Sequence, residues 1–205
     1  MSKSNKGSLI AIVILILLVL WAVVAGISFN NKAVQQEEGV RQAWSQVENQ
    51  YQRRADLIPN LVNTVKGYAT HERETLEGVV EARAKATQMT VDPTKMTPED
   101  LAAYQQAQGE LSQALGRLLA VSERYPDLKA NENFKALQVQ LEGTENRIST
   151  ERKRFNEVTQ EYNTFVRKFP NNIFGSILGF KAKPYFESVA GADREIGRAS
   201  CRERV

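Results

Sequence analysis

The sequence predicts an all-α protein: a single transmembrane helix, then an antiparallel bundle of long helices, with four as the expected count. Three observations carry this. Leu9–Ile27 (LIAIVILILLVLWAVVAGI) is 19 residues without a charge. Beyond Asn31 the apolar residues recur in steps of three and four, and no stretch alternates with period two. Only 12 Gly and 6 Pro punctuate 205 residues, too few for a chain of short strands and turns.

Residues 1–8 form a short polar tail, and residues 9–27 the span. At 1.5 Å per residue the span covers roughly 28 Å, about the hydrocarbon thickness of a bilayer. A backbone in lipid must satisfy its own hydrogen bonds, which dictates a helix. Trp21 stands toward the outer end, where an indole favours the interface. The competing reading is a cleaved signal peptide, with Lys3 and Lys6 as its basic start and Val23-Val24-Ala25 as a tolerable cleavage site. The apolar run exceeds the usual length of such a segment, which favours an anchor. The tail carries Lys3, Lys6 and the α-amino group against Lys32 and Arg41 on the far flank, where Glu37 and Glu38 dilute them. That slight bias places the N-terminus in the cytoplasm and the bundle outside it.

Residues 31–170 carry the bundle. A first stripe is Val40, Trp44, Val47, Tyr51, Leu57, Leu61, Val65 and Tyr68, continued weakly by Leu76, Val79, Val80 and Ala86 with Arg83 interrupting. A second runs Leu101, Tyr104, Ala107, Leu111, Leu115, Leu118, Val121 and Tyr125, and a third from Phe134 through Leu141, Ile148, Phe155 and Tyr162 to Phe169. The breaks have chemistry. Asp92-Pro93-Thr94 ends the second region, and Thr97-Pro98-Glu99-Asp100 supplies an N-cap, a proline at the first helical position and acidic residues in the first turn. Tyr125-Pro126-Asp127 ends the next helix, Asn131 can cap the one after, and Pro170-Asn171-Asn172 stops the last. Pro59 either kinks one very long helix or separates two, so the helix count stays open at that residue.

Composition narrows the function. At 42% hydrophobic and 25% charged the chain is globular, and a net charge of +3 is too diffuse to imply nucleic acid. One Cys and one His exclude a disulfide framework and a Cys/His zinc site. His71, beside charged residues at the edge of a stripe, lacks a nucleophile to serve and is expected on a solvated helix surface. Glu72, Glu74, Glu77 and Glu81 would need paired histidines to make a di-iron bundle and are expected to be a solvated face. No catalytic, cofactor-binding or metal-binding residue is therefore assigned. Arg53, Arg54 and Asp56 form a candidate interaction cluster, able to bind phosphate or an acidic partner or simply to form local ion pairs. Asn60 and Asn63 would fix helix register if buried. Gly109 and Gly116, a heptad apart within a helix, suggest a close helix approach, and Gly143 is likewise read as packing.

Residues 171–194 depart from the bundle pattern. Ile173, Phe174, Ile177, Leu178 and Phe180 can form a short helix, with Lys168, Lys181 and Lys183 nearby. An apolar strip rimmed by lysines is either an interfacial helix, a partner-docking strip or a segment folded back on the bundle. In an up-down bundle of four helices it lies near the membrane; with three long helices it lies at the far end.

Three segments, AWSQVENQYQRRADLIPNLVNTVKGYATHE (Ala43–Glu72), ERYPDLKANENFKALQVQLEGTENRI (Glu123–Ile148) and FNEVTQEYNTFVRKFPNNIFG (Phe155–Gly175), closely resemble the LemA family. The similarity covers about Asn30 to Phe186 and includes the single N-terminal membrane helix. It implies a membrane-anchored antiparallel four-helix bundle of bacteria and no established activity, catalytic residue or cofactor. It also implies association with membrane systems, magnetosome formation among them, and with membrane metalloproteases as one class of protein partner.

Members of that family tend to end soon after a motif like Pro184-Tyr185-Phe186-Glu187. Here the chain ends EIGRASCRERV, Glu195–Val205, which resembles read-through of a sequencing adaptor. On that reading residues 195–205 and Cys201 are not native, and the native C-terminus is cut near Arg194. The expected function is a noncatalytic scaffold or adaptor of the cell membrane, working through the lipid bilayer and an unidentified protein partner, with no nucleic acid and no cofactor. The alternatives are a membrane-stress sensor signalling through a partner and, third, an enzyme.

Overall fold

The computed structural model describes residues 4–187, and every described element is helical. Glu195–Val205, with Cys201, lies outside the described residues. The elements are α1 (Ser4–Lys66), α2 (Arg73–Gln88), α3 (Pro98–Val121), a 3₁₀ turn at Ser122–Arg124, α4 (Pro126–Ala130), α5 (Glu132–Arg167) and α6 (Asn171–Leu178).

α1 is one helix of 63 residues, so the apolar run and the first bundle helix are continuous. Leu9–Leu20 are exposed on every side of the helix, with no other part of the described chain packed on them. Pro59 lies within α1 and does not split it. A proline removes the N–H that would bond the carbonyl four residues back, here that of Ala55. Arg83 of α2 donates its Nε to that carbonyl at 2.8 Å. The arginine that interrupts the stripe is thus the partner of the acceptor that Pro59 releases. The chain reverses instead at Gly67–Glu72, where the N–H groups of Gly67 and Ala69 still bond back to Asn63 and Val65.

α3 begins as its sequence predicts. Thr97 Oγ1 accepts from the Asp100 N–H at 3.1 Å while the Asp100 carboxylate accepts from the Thr97 N–H at 3.0 Å, a reciprocal capping box. Asn131 caps α5 by accepting from the Phe134 N–H at 2.9 Å.

α5 runs antiparallel to α1 along its length. Asn131 meets Tyr68, Glu145 meets Arg54, Phe155 meets Trp44 and Phe165 meets Phe29. The core falls into two clusters. One holds Ile58, Leu61, Val65, Val79, Leu111, Leu115, Leu118, Phe134 and Leu141 near the 67–72 reversal. The other holds Val40, Trp44, Tyr51, Leu101, Tyr104, Phe155, Tyr162 and Phe186, toward the apolar segment. Tyr68, Val80 and Phe169, assigned to stripes from spacing, stand exposed at 42%, 53% and 76%. Each lies at or beside a helix end or on an outer face, where the period continues but no neighbour arrives. Gly109, Gly116 and Gly143 correct another expectation: a Cβ at any of them would meet nothing within 4 Å, so no helix approaches closely there.

Candidate functional site

The arginine cluster separates into unlike residues. Arg53 and Asp56 are exposed, and Asp56 accepts from Gln52 Nε2 at 2.7 Å. Arg54 is 1% exposed, which rules it out as a surface recognition residue. Its Nη1 donates to Ser112 Oγ and Glu145 Oε1, both at 2.6 Å; its Nη2 donates to Gln108 Oε1 at 2.7 Å and to the Gln108 carbonyl at 3.2 Å. Gln108 in turn donates to the Ala86 carbonyl of α2 at 3.2 Å. One guanidinium, stacked 5.1 Å from the centre of the Tyr51 ring, thereby ties all the long helices at the junction of the two core clusters. Its planar fork suits this, since a buried cation must be paired and hydrogen-bonded on several sides.

The end of the bundle beside the apolar segment is the more distinctive site. α6 packs against α1 where the apolar run finishes. The Phe174 ring lies 3.6 Å from the Cβ position of Gly26, and Phe29 stacks on Phe165 and Phe174 at 5.4 and 5.9 Å and meets Phe180 edge-on at 5.8 Å. Gly175 is buried, and a Cβ there would come within 3.2 Å of Val166 Cγ1. Gly179 ends α6 at φ +82°, a conformation open to a residue without a Cβ. The outward side of this end remains apolar: Phe169 is 76%, Ile177 75%, Ile173 50% and Leu178 48% exposed.

Beyond Gly179 the chain runs extended as a strap across α5. Asn163 donates Nδ2 to the Lys183 carbonyl and accepts from the Lys183 N–H, both at 2.8 Å. Asn156 makes the same pair with Phe186, at 2.9 and 2.8 Å. Seven residues of helix rise about 10.5 Å and three extended residues cover about 10 Å, so the two amides match the strap's repeat. Tyr162 donates to the Lys181 carbonyl at 3.1 Å; burial, then the Glu37 charge, pushes its phenol up to about 12, so it stays a donor at physiological pH. Phe186 stacks on Trp44 at 5.7 Å, meets Phe155 edge-on at 5.3 Å, and lies under the Arg152 guanidinium at 4.7 Å.

Lys183 overturns its sequence assignment as a surface cation. It is buried, pairs with Glu37 at 2.8 Å and donates to the Thr94 carbonyl, joining the strap to α1 and to the α2–α3 connection. Lys181 and Lys168 are exposed, as are Arg167 and Lys32. The remaining candidates are plain. His71 is exposed in the reversal, Glu72 pairs with Arg124 at 3.0 Å, and Glu77 pairs with Arg73 at 2.6 Å. Asn60 and Asn63 are exposed. Among the described residues no three Asp, Glu, His or Cys side chains gather where they would hold a metal ion. Burial raises the pKa of Glu48 against the opposing indole of Trp44, and that of Tyr104 beyond the usual phenol range, on the helix faces around the Arg54 node.

The Asn156 and Asn163 clamps were not singled out in the sequence. Their signal was two asparagines a heptad apart beside the third apolar stripe, facing a segment that follows no helical period.

Together these features define a class: a helical bundle continuous with an apolar helix of bilayer-spanning length, closed at that end by a short helix and a strap. The chain belongs to the LemA family, whose sequence model matches residues 43–198. It is similar to the magnetosome proteins MamQ 1 and MamQ 2 of Paramagnetospirillum magneticum, each 27% identical over 212 aligned positions that cover 95% of this chain and 78% of the relative. Magnetosome protein MamQ of Magnetospirillum gryphiswaldense is 34% identical over 90 residues, 44% of this chain and 33% of that protein. Protein LemA of Metamycoplasma hominis is 23% identical over 142 residues, 69% of this chain and 61% of that protein.

Proposed function

We propose that the chain is a noncatalytic scaffold of the cell membrane, anchored by the first part of α1, with the bundle on the extracytoplasmic side. The observation that carries this reading is the continuity of α1, which is exposed and apolar along Leu9–Leu20 and enters the bundle core from Phe29 onward without a break. A rigid helix of that kind holds the bundle at a fixed height over the bilayer. Relatives named as magnetosome proteins support a role on a membrane surface. The cations that the fold brings to the bundle side, Arg167, Lys168 and Lys181, do not alter the orientation argument. The charge rule weighs residues within about 15–20 positions of the span, and these lie far along the chain.

Alkaline carbonate washing of membranes tests the anchor. The full-length chain should stay in the pellet, and its release would defeat the proposal. Protease added outside intact spheroplasts should digest the bundle, and a protected bundle would reverse the orientation.

A further inference from the structure

We infer that α6 and the cations around it form a membrane foot that lies in the bilayer interface and recognises anionic phospholipid headgroups. The inference deepens the anchoring reading above and depends on it. Height is the first argument. Phe174 packs on Gly26, within the run Leu9–Ile27, so α6 is fixed at the level where hydrocarbon gives way to headgroups. Exposure is the second. Phe169, Ile173, Ile177 and Leu178 place apolar surface at that level while the other side of α6 is filled by Phe29 and Val166. An apolar strip at the depth of an interface is covered by the interface itself.

Charge is the third argument, and it names the lipid. Lys32, Arg167, Lys168 and Lys181 are exposed around α6, and none forms an ion pair among the described residues. The nearby acids on α1 are engaged, Glu37 with Lys183 at 2.8 Å and Glu38 with Arg41 at 3.2 Å. The Lys32 ammonium lies over the Phe165 ring, 5.4 Å from its centre, a cation–π contact that holds this exposed lysine's charge beside the aromatic cluster that supports α6. An apolar strip ringed by unneutralised cations complements an anionic bilayer surface, with each cation near the surface worth about a fivefold gain in partitioning.

The test uses the full chain reconstituted in vesicles, with Cys201→Ser and an environment-sensitive dye attached at Ser176→Cys. Vesicles are phosphatidylcholine alone or phosphatidylcholine mixed with phosphatidylglycerol, and the quencher is acrylamide, which is uncharged. The expected result is partial shielding in the neutral lipid and stronger shielding, lost at high salt, in the anionic mixture. Lys168→Glu with Lys181→Glu should abolish the anionic gain, a loss of tenfold or more in the shielded-to-exposed ratio. Ile173→Asp with Ile177→Asp should remove shielding in both lipids. Equal shielding in the two compositions would overturn headgroup recognition. Shielding that follows the protein-to-lipid ratio instead of composition would assign the strip to a second copy of the chain. A chain that resists carbonate yet is fully quenched in both lipids would overturn the foot and leave the anchor standing.

Discussion

Arg54 is the residue whose removal should harm the bundle most for its size. The guanidinium is 1% exposed and reaches acceptors on Ser112, Gln108 and Glu145 from α1. Arg54→Ala strips donors from the Gln108 side chain and Ser112 and empties the space against Tyr51. Each buried polar group left unpaired costs about 1–3 kcal/mol, so the total should be about 3–5 kcal/mol, a large part of a domain's 5–15 kcal/mol. Arg54→Lys keeps the charge but not the fork, and should cost about 2 kcal/mol because one ammonium cannot serve all the acceptors. Glu145→Gln should cost least, about 1 kcal/mol, since the Glu145 side chain is 44% exposed and water replaces part of its role. The assay is urea unfolding of the detergent-solubilised chain followed by Trp44 fluorescence, with Trp21→Phe to remove the other indole. Loss of less than about 1 kcal/mol in Arg54→Ala, or free replacement by Lys, would refute the claim that this side chain holds the helices in register.

Further outcomes follow from other contacts. Asn163→Ala leaves the buried N–H and carbonyl of Lys183 unpaired, so the strap should loosen by about 1–3 kcal/mol and tryptic cleavage after Lys181 should accelerate; an unchanged rate would show the clamp idle. Burial raises the Glu48 pKa, so its contribution to stability is present at low pH and is lost as pH rises through that raised value. Glu48→Gln should therefore raise the urea midpoint at neutral pH, with the advantage over the parent closing toward about pH 4. Thr97→Ala removes half of the capping box and should lower stability by about 1 kcal/mol in the same assay. Leu141→Asp, at a position 3% exposed, should abolish cooperative unfolding, whereas His71→Ala, exposed in the reversal, should leave the midpoint unchanged.

Much of the fold was legible because burial along a helix repeats every three or four residues. Val40, Trp44, Leu111, Leu141 and Phe155 all fall in the core where spacing placed them. Pro59 left the helix count open, and the chain reverses at Gly67–Glu72 instead. A proline signals a lost hydrogen bond, but the sequence does not show that Arg83, distant along the chain, supplies the missing donor. At Gly67–Glu72 the apolar spacing continues almost in phase through Val65, Ala69 and Leu76, so periodicity has no break to report. The site was legible only in its apolar part. Ile173, Phe174 and Ile177 declare a short amphipathic helix, but whether a lysine beside it meets water or a carboxylate depends on the strap. Strand alternation would put Lys181 and Lys183, two positions apart, on one face, yet Lys181 is exposed and Lys183 is buried against Glu37 and the Thr94 carbonyl, a difference that spacing does not carry.

The strap also sets a condition on how the molecule is made. Trp44, near the start of the bundle, completes its packing only when Phe186 arrives. A nascent chain therefore emerges with its anchor and first helices in place and its aromatic cluster open, and local helix formation cannot close it. Until the ribosome has delivered the strap, Trp44 and Phe155 present a wet aromatic face and Glu37 lacks its lysine, a surface suited to chaperones and proteases. The core closes only once the strap has been delivered, so a product truncated before Phe186 carries a visible sign of its own incompleteness.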